Sequence, residues 1–249
     1  MNENSLTRTI KKYEQDFIKF MRIDSFPNYE IVPKEVSLSI ATSQGFESLA
    51  SSKYDFSNSK HILIVSNNLP LKRYIIFHEF THILDTELYT KNDRKNHIGI
   101  SGYTEYHASQ IELFELLKAN SIEDTLSFSV YNKIDTISGE KTIVQYMNDK
   151  FQHAVSLFSR NDFPANIETL HAALGVLFNY WGIRSICKLY STDYSSQENN
   201  QAFLKYIPQT NFILLNNMMT GWVDNTTINL SIPFYFNAVF SIIKKYNLK

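Results

Sequence analysis

Apolar positions along the chain change their period several times, and each change marks an element. Leu6, Ile10, Tyr13, Phe17 and Met21 fall at helical spacing, with Lys and Arg residues between them. That pattern predicts an N-terminal helix with one face in a core. A membrane-surface helix would share the stripe, but Glu14, Asp16 and Asp24 dilute its positive charge, so core packing is the better reading. Val36, Leu38 and Ile40 alternate with polar residues, as in a half-buried strand. His61-Ile62-Leu63-Ile64-Val65 is an apolar run closed by Ser66-Asn67-Asn68, as in a buried one. A helix is expected from near Pro70, where the amide that proline lacks would have no partner anyway, to about Tyr89. A second helix is expected from Gly102 to Leu117. Beyond it Leu126-Ser127-Phe128-Ser129-Val130 alternates, and Ser138-Gly139-Glu140-Lys141 has the composition of a turn. Helical periodicity follows near 142–160, 165–190, 201–219 and 233–246. The expected fold class is α+β: a small β-sheet packed on the helix after Pro70, followed by a mainly helical C-terminal half.

That helix carries His78-Glu79-Phe80-Thr81-His82, an HExxH pattern preceded by the apolar Tyr74-Ile75-Ile76-Phe77. Residues four apart share a helix face, so the two imidazoles stand one turn from each other and can bind one zinc ion, with Glu79 beside it. The motif arises by chance in roughly one such chain in a hundred, so its surroundings have to support it. Catalytic zinc usually takes three protein ligands and leaves a fourth position open. The Gly102 to Leu117 segment offers Glu105, His107 and Glu112. Glu105 is favoured, because Ala108 and Ser109 on its face would let this helix approach the first one closely. Glu112 lies about 10 Å further along the axis and cannot reach the same ion. His107 is rotated about 200° from Glu105, so a regular helix cannot present both. His97 is a loop-borne alternative. The expected ligand set is His78, His82 and Glu105 on one zinc ion per chain. Asp85 could orient a ligand imidazole, although an exposed helix aspartate is the simpler reading.

HExxH on one helix and a glutamate on the next resembles the gluzincin pattern of zinc peptidases. The strand, the His78–His82 helix, and a glutamate followed by a small residue and Leu116-Leu117 look more closely like the ImmA/IrrE-type metallopeptidases, over roughly residues 35 to 118. The chain departs from that pattern at Phe80-Thr81, where the family commonly has Leu-Gly, and after Leu117, where a proline is missing. The resemblance implies an intracellular endopeptidase of mobile elements or prophages whose substrate is a protein, a DNA-binding regulator or repressor being one candidate. It divides the chain into a zinc metallopeptidase-like domain at 1–120 and a helical region packed on it at 121–249, or one compact domain overall. Zinc would lower the pKa of its bound water toward ~7, and Glu79 would act as general base and then general acid. Tyr103, His107 and His97 are candidate donors to the tetrahedral oxyanion. His61, His153 and His171 read as ordinary histidines, His171 being a remote candidate for the same role. The alternative is a metal-stabilised, non-proteolytic protein that sequesters a regulatory partner.

Composition narrows the setting. Across 249 residues, 43% hydrophobic and 14% aromatic, there is enough apolar material for a sizeable core. The formal charge of -1 leaves no global basic field, which disfavours direct nucleic-acid binding. The single Cys187 excludes an intramolecular disulfide, and the start Met1-Asn2-Glu3-Asn4-Ser5 lacks a signal-peptide pattern, so a cytoplasmic protein is expected. The Ile232 to Ile243 stretch reads as too short, and too interrupted by Asn237 and Ser241, to span a bilayer, so no membrane partner is expected. Oligomeric state leaves no mark in the sequence.

Overall fold

The amphipathic N-terminal stripe folds as α1 (Glu3–Met21), with Leu6, Ile10 and Phe17 fully buried. The computed structural model describes residues 3–36, 49–90, 92–195 and 200–248. β1 (Tyr29–Lys34) and β2 (Ala50–Asp55) flank β3 (Lys60–Ser66) in a sheet of order β1-β3-β2, β1 parallel and β2 antiparallel to the central strand. β3 is the strand expected around His61 to Val65, with His61, Leu63 and Val65 buried on one side. Of the alternating trio expected as a second strand, Leu38 and Ile40 lie outside the described residues, and Val36 follows β1 without belonging to it. β1 and β2 were not expected. β1 contains Pro33, tolerated at a sheet edge, and β2 reads Ser51-Ser52-Lys53 with no apolar alternation.

After β3, Leu69 N–H donates to Ser66 Oγ at 3.1 Å, and α2 (Arg73–Thr90) begins, three residues past the expected proline. α2 is buried on most of its circumference, because α1, the sheet and the next helix each cover a side. Phe17 of α1 packs edge-on against Phe77 and Phe80 at ring separations of 5.1 and 5.5 Å. α3 (Arg94–Leu116) starts about two turns earlier than expected, because Asp93 caps it by accepting from the Lys95 and Asn96 amides. Gly99, ahead of the expected start, and Gly102, the expected first residue, both lie inside this helix. His97 is therefore on its first turn and not in a loop.

β4 (Lys133–Thr136) and β5 (Gly139–Thr142) form a hairpin, so Gly139 to Lys141, expected in a turn, are in a strand, with the turn at Ile137-Ser138. Leu126 to Val130 makes only an isolated bridge, Phe128 to Ser191, and no strand. α4 (Ile143–Phe158) and α5 (Ile167–Tyr190) match their periodicity, and each opens with a reciprocal cap, Thr142 with Gln145 and Asn166 with Thr169. The helix expected at 201–219 is divided into α6 (Gln201–Leu204) and α7 (Gln209–Met218) by Pro208, which disfavours helical geometry at Ile207. α8 (Asn225–Tyr246) starts at an Asp224 cap, well before the expected residue 233, and carries Pro233 within it. At 22 residues it is long and apolar enough to cross a membrane by length and composition, which corrects the reading of this stretch as too short. It packs on α3, where a Cβ on Gly99 would come within 2.5 Å of Ile232 and one on Gly102 within 2.5 Å of Tyr235. One continuous apolar core runs from Leu6 to Ile242 and joins the two halves of the chain.

Candidate metal centre

α2 and α3 pack along much of their lengths, which brings the two histidines of one against the glutamate of the other. The His78 and His82 rings lie 4.8 Å apart between centroids. Their Nε2 atoms point at the same oxygen, Glu105 Oε2, at 3.6 and 3.7 Å. All three donor atoms lie within 4.8 Å of one another, so the group could hold a metal ion. A tetrahedral ion with bonds of about 2.0–2.2 Å requires neighbouring ligands roughly 3.4 Å apart, and the two His–Glu spacings here are close to that. The far ring nitrogens are committed elsewhere: His78 Nδ1 is 2.8 Å from Glu112 Oε2, and His82 Nδ1 is 2.9 Å from Thr104 Oγ1. Those partners fix both rings with Nε2 toward the centre.

Glu105 is held from a third helix. The Asn179 side chain of α5 hydrogen-bonds it while accepting from Ser109 Oγ at 2.7 Å, and Gly175 leaves room for its carboxylate, where a Cβ would sit 3.3 Å from Oε1. Burial favours the neutral acid, but the His82 and His78 rings and the Asn179 contact outweigh it and hold the carboxyl at about 2. Burial likewise opposes a charged His78 ring, yet the Glu105, Glu112 and Glu79 carboxylates push it up to about 10.

These shifts give the metal-free chain a pH signature. The His78 contribution to stability is full below the ordinary histidine value of 6.5 and is lost as pH rises through about 10. The Glu105 contribution is full above 4.5 and is lost as pH falls toward 2. With a chelator present, the denaturation midpoint should fall between pH 6.5 and 10, and should fall less in His78→Gln. An equal slope in both proteins would assign the dependence to other groups.

A cavity of about 510 Å³ opens over these residues, with β2 as one wall and α3 as another. Glu79 lines it and is only 5% exposed, and Ser52 Oγ of β2 donates to its Oε2 at 2.8 Å. His97 lines it as well, and its Nδ1 has no hydrogen-bond partner among the described residues. Tyr103 and His107 do not line it. His107 Nδ1 sits 3.0 Å from Asp85 Oδ1, and Tyr103 stacks on the His107 ring at 5.5 Å. The structure thus brings His78, Glu79, His82 and Glu105 together and places the two donor candidates in a separate Asp85-centred cluster. Asp85 holds His107 and no ligand ring, and the role considered for it on a ligand falls to Glu112. His61 lines the cavity with its Nε2 3.0 Å from Glu87 Oε2, whereas His153 and His171 lie outside the lining.

Sequence reasoning missed Ser52, Thr104 and Asn179. Thr104 adjoins Glu105, and Glu112 is two turns along the same face, so those two carried a spacing signal; Ser52 and Asn179 carried none. No family model, curated protein or solved structure matches the chain.

Proposed function

We propose that the protein is a zinc-dependent endopeptidase acting on a protein substrate. The observation that carries this reading is the convergence of His78 Nε2 and His82 Nε2 on Glu105 Oε2 inside a cavity that Glu79 also lines. Two imidazoles and one carboxylate are a donor set that suits zinc and leaves a coordination position free. Zinc bound there supplies a water of lowered pKa and polarises a carbonyl. Glu79, anchored by Ser52, takes the proton of the attacking water and delivers it to the leaving amide nitrogen. Of the four donors considered for the oxyanion, His97 alone lines the cavity. Burial lowers its pKa, so the ring is neutral near pH 7 and carries one N–H to give to a substrate oxygen.

The cavity also offers a way to hold a chain. β2 pairs only with β3 among the described strands, and residues 50–54 border the cavity. An extended peptide laid along that edge gains backbone hydrogen bonds with little demand on its sequence. Substrates of first choice, following the ImmA/IrrE-like pattern, are DNA-binding repressors of mobile elements, met in the cytoplasm.

The test is elemental analysis of wild type and Glu105→Ala at equal fold quality. The expected result is close to one zinc per chain in the wild type and a marked loss in the variant. A folded wild type that takes up no zinc when supplied with it overturns the peptidase reading.

A further inference from the structure

His78 is joined to a buried polar chain that the C-terminal half of the protein completes. Glu112 is fully buried, and besides His78 Nδ1 on Oε2 it receives the Tyr146 hydroxyl on Oε1 and has Lys150 Nζ 3.7 Å from the same oxygen. Tyr146 and Lys150 stand one turn apart on α4, both buried, with the ammonium 5.5 Å from the centre of the Tyr146 ring. A carboxylate removed from water is unfavourable unless donors and a counter-charge surround it. Here they do. The other ligand ring is treated differently, since His82 Nδ1 meets the neutral Thr104 hydroxyl.

An imidazole that binds metal through Nε2 keeps its proton on Nδ1, and an anionic acceptor at that proton makes Nε2 the stronger donor. The acceptor works only while Oε2 stays aimed at Nδ1, and that depends on the groups that hold its second oxygen.

We propose that α4 sets the metal affinity of the centre: Lys150 and Tyr146 anchor Glu112 Oε1 so that Oε2 stays aimed at His78 Nδ1, which fixes the Nε2-binding tautomer and strengthens His78 as a ligand. Glu112, Tyr146 and Lys150 are positioning residues, since none lines the cavity. The inference rests on the reading of His78, His82 and Glu105 as a metal site. It makes the helical half part of that site's chemistry and more than a covering layer.

The experiment measures zinc affinity of the full chain by competition with a chromophoric chelator, and the absorption spectrum of the cobalt-substituted protein, for wild type, Glu112→Gln, Tyr146→Phe, Lys150→Met and Glu112→Gln/Lys150→Met. Each variant is matched for fold by near-ultraviolet circular dichroism. Lys150→Met and Tyr146→Phe should each weaken zinc roughly 10- to 100-fold and alter the cobalt spectrum. In the Glu112→Gln background the Lys150→Met change should have little further effect on affinity, because its route to the metal is already cut. Unchanged affinity in folded single variants overturns the proposal, as does a full additive loss in the double variant, the mark of a merely structural lysine. A wild type that binds no zinc overturns the metal site itself, whereas unaltered affinity in the variants with zinc in the wild type removes only the role of α4.

Discussion

Glu79→Gln should lower substrate cleavage by roughly 10²- to 10⁴-fold while zinc content stays near that of the wild type. The amide has nearly the shape of the acid, and its oxygen can still accept the Ser52 hydroxyl that meets Glu79 Oε2 at 2.8 Å. It cannot take a proton from water. Glu79 is not among the residues converging on the metal position, so the centre should remain assembled. The readouts are cleavage of a candidate repressor by mass spectrometry and metal content of the same sample. Full activity in the variant would remove Glu79 as the base. Retained biological function without any cleavage would support the other class of protein, one that captures its partner and does not cut it.

Gly182→Ala should destabilise the fold by about 2–3 kcal/mol, even though alanine is the better helix former. A Cβ at this point of α5 would lie 2.2 Å from the Tyr106 carbonyl oxygen and 3.0 Å from Ser109 Cβ, so the obstacle is α3 backbone and not a movable side-chain tip. The two helices must part, and Glu105, next to Tyr106, moves with them. The melting temperature should fall by about 5–10 °C for a chain of this size, with zinc content falling in parallel. A melting temperature within a degree of the wild type would show that the α3–α5 contact yields without cost.

What could be read from the sequence divides by distance along the chain. The grouping of His78, His82 and Glu105 was legible because helical spacing sets the two imidazoles on one face of their helix and, on the next, puts Glu112 too far along the axis to share an ion with Glu105. The same rule turned His107 away from Glu105, and the structure seats it on Asp85. Ser52, Asn179, Tyr146 and Lys150 were not legible, since each arrives from an element whose placement depends on tertiary packing. The expected starts of α3 and α8 fell late for a related reason. The expected helices open at Gly102 and at residue 233, yet Gly99 and Gly102 give Ile232 and Tyr235 room to approach, which is a property of the pair of helices and of neither alone. β2 escaped notice because it borders a cavity with Ser51 and Lys53 exposed, and alternation marks only strands with an apolar side against a core.

The seating of α8 on α3 has a consequence for the timing of synthesis. During translation the HExxH helix and Glu105 leave the ribosome long before Asn225 to Tyr246, at a few to some twenty residues per second. Until then Gly99 lacks Ile232 and Gly102 has Phe178 of α5 but not Tyr235, so the N-terminal half of α3 is the less supported part and frays more readily. On this geometry the His78, His82 and Glu105 group, which could hold a metal ion, gains its full helical support only when the distant α8 has been made and closes over α3.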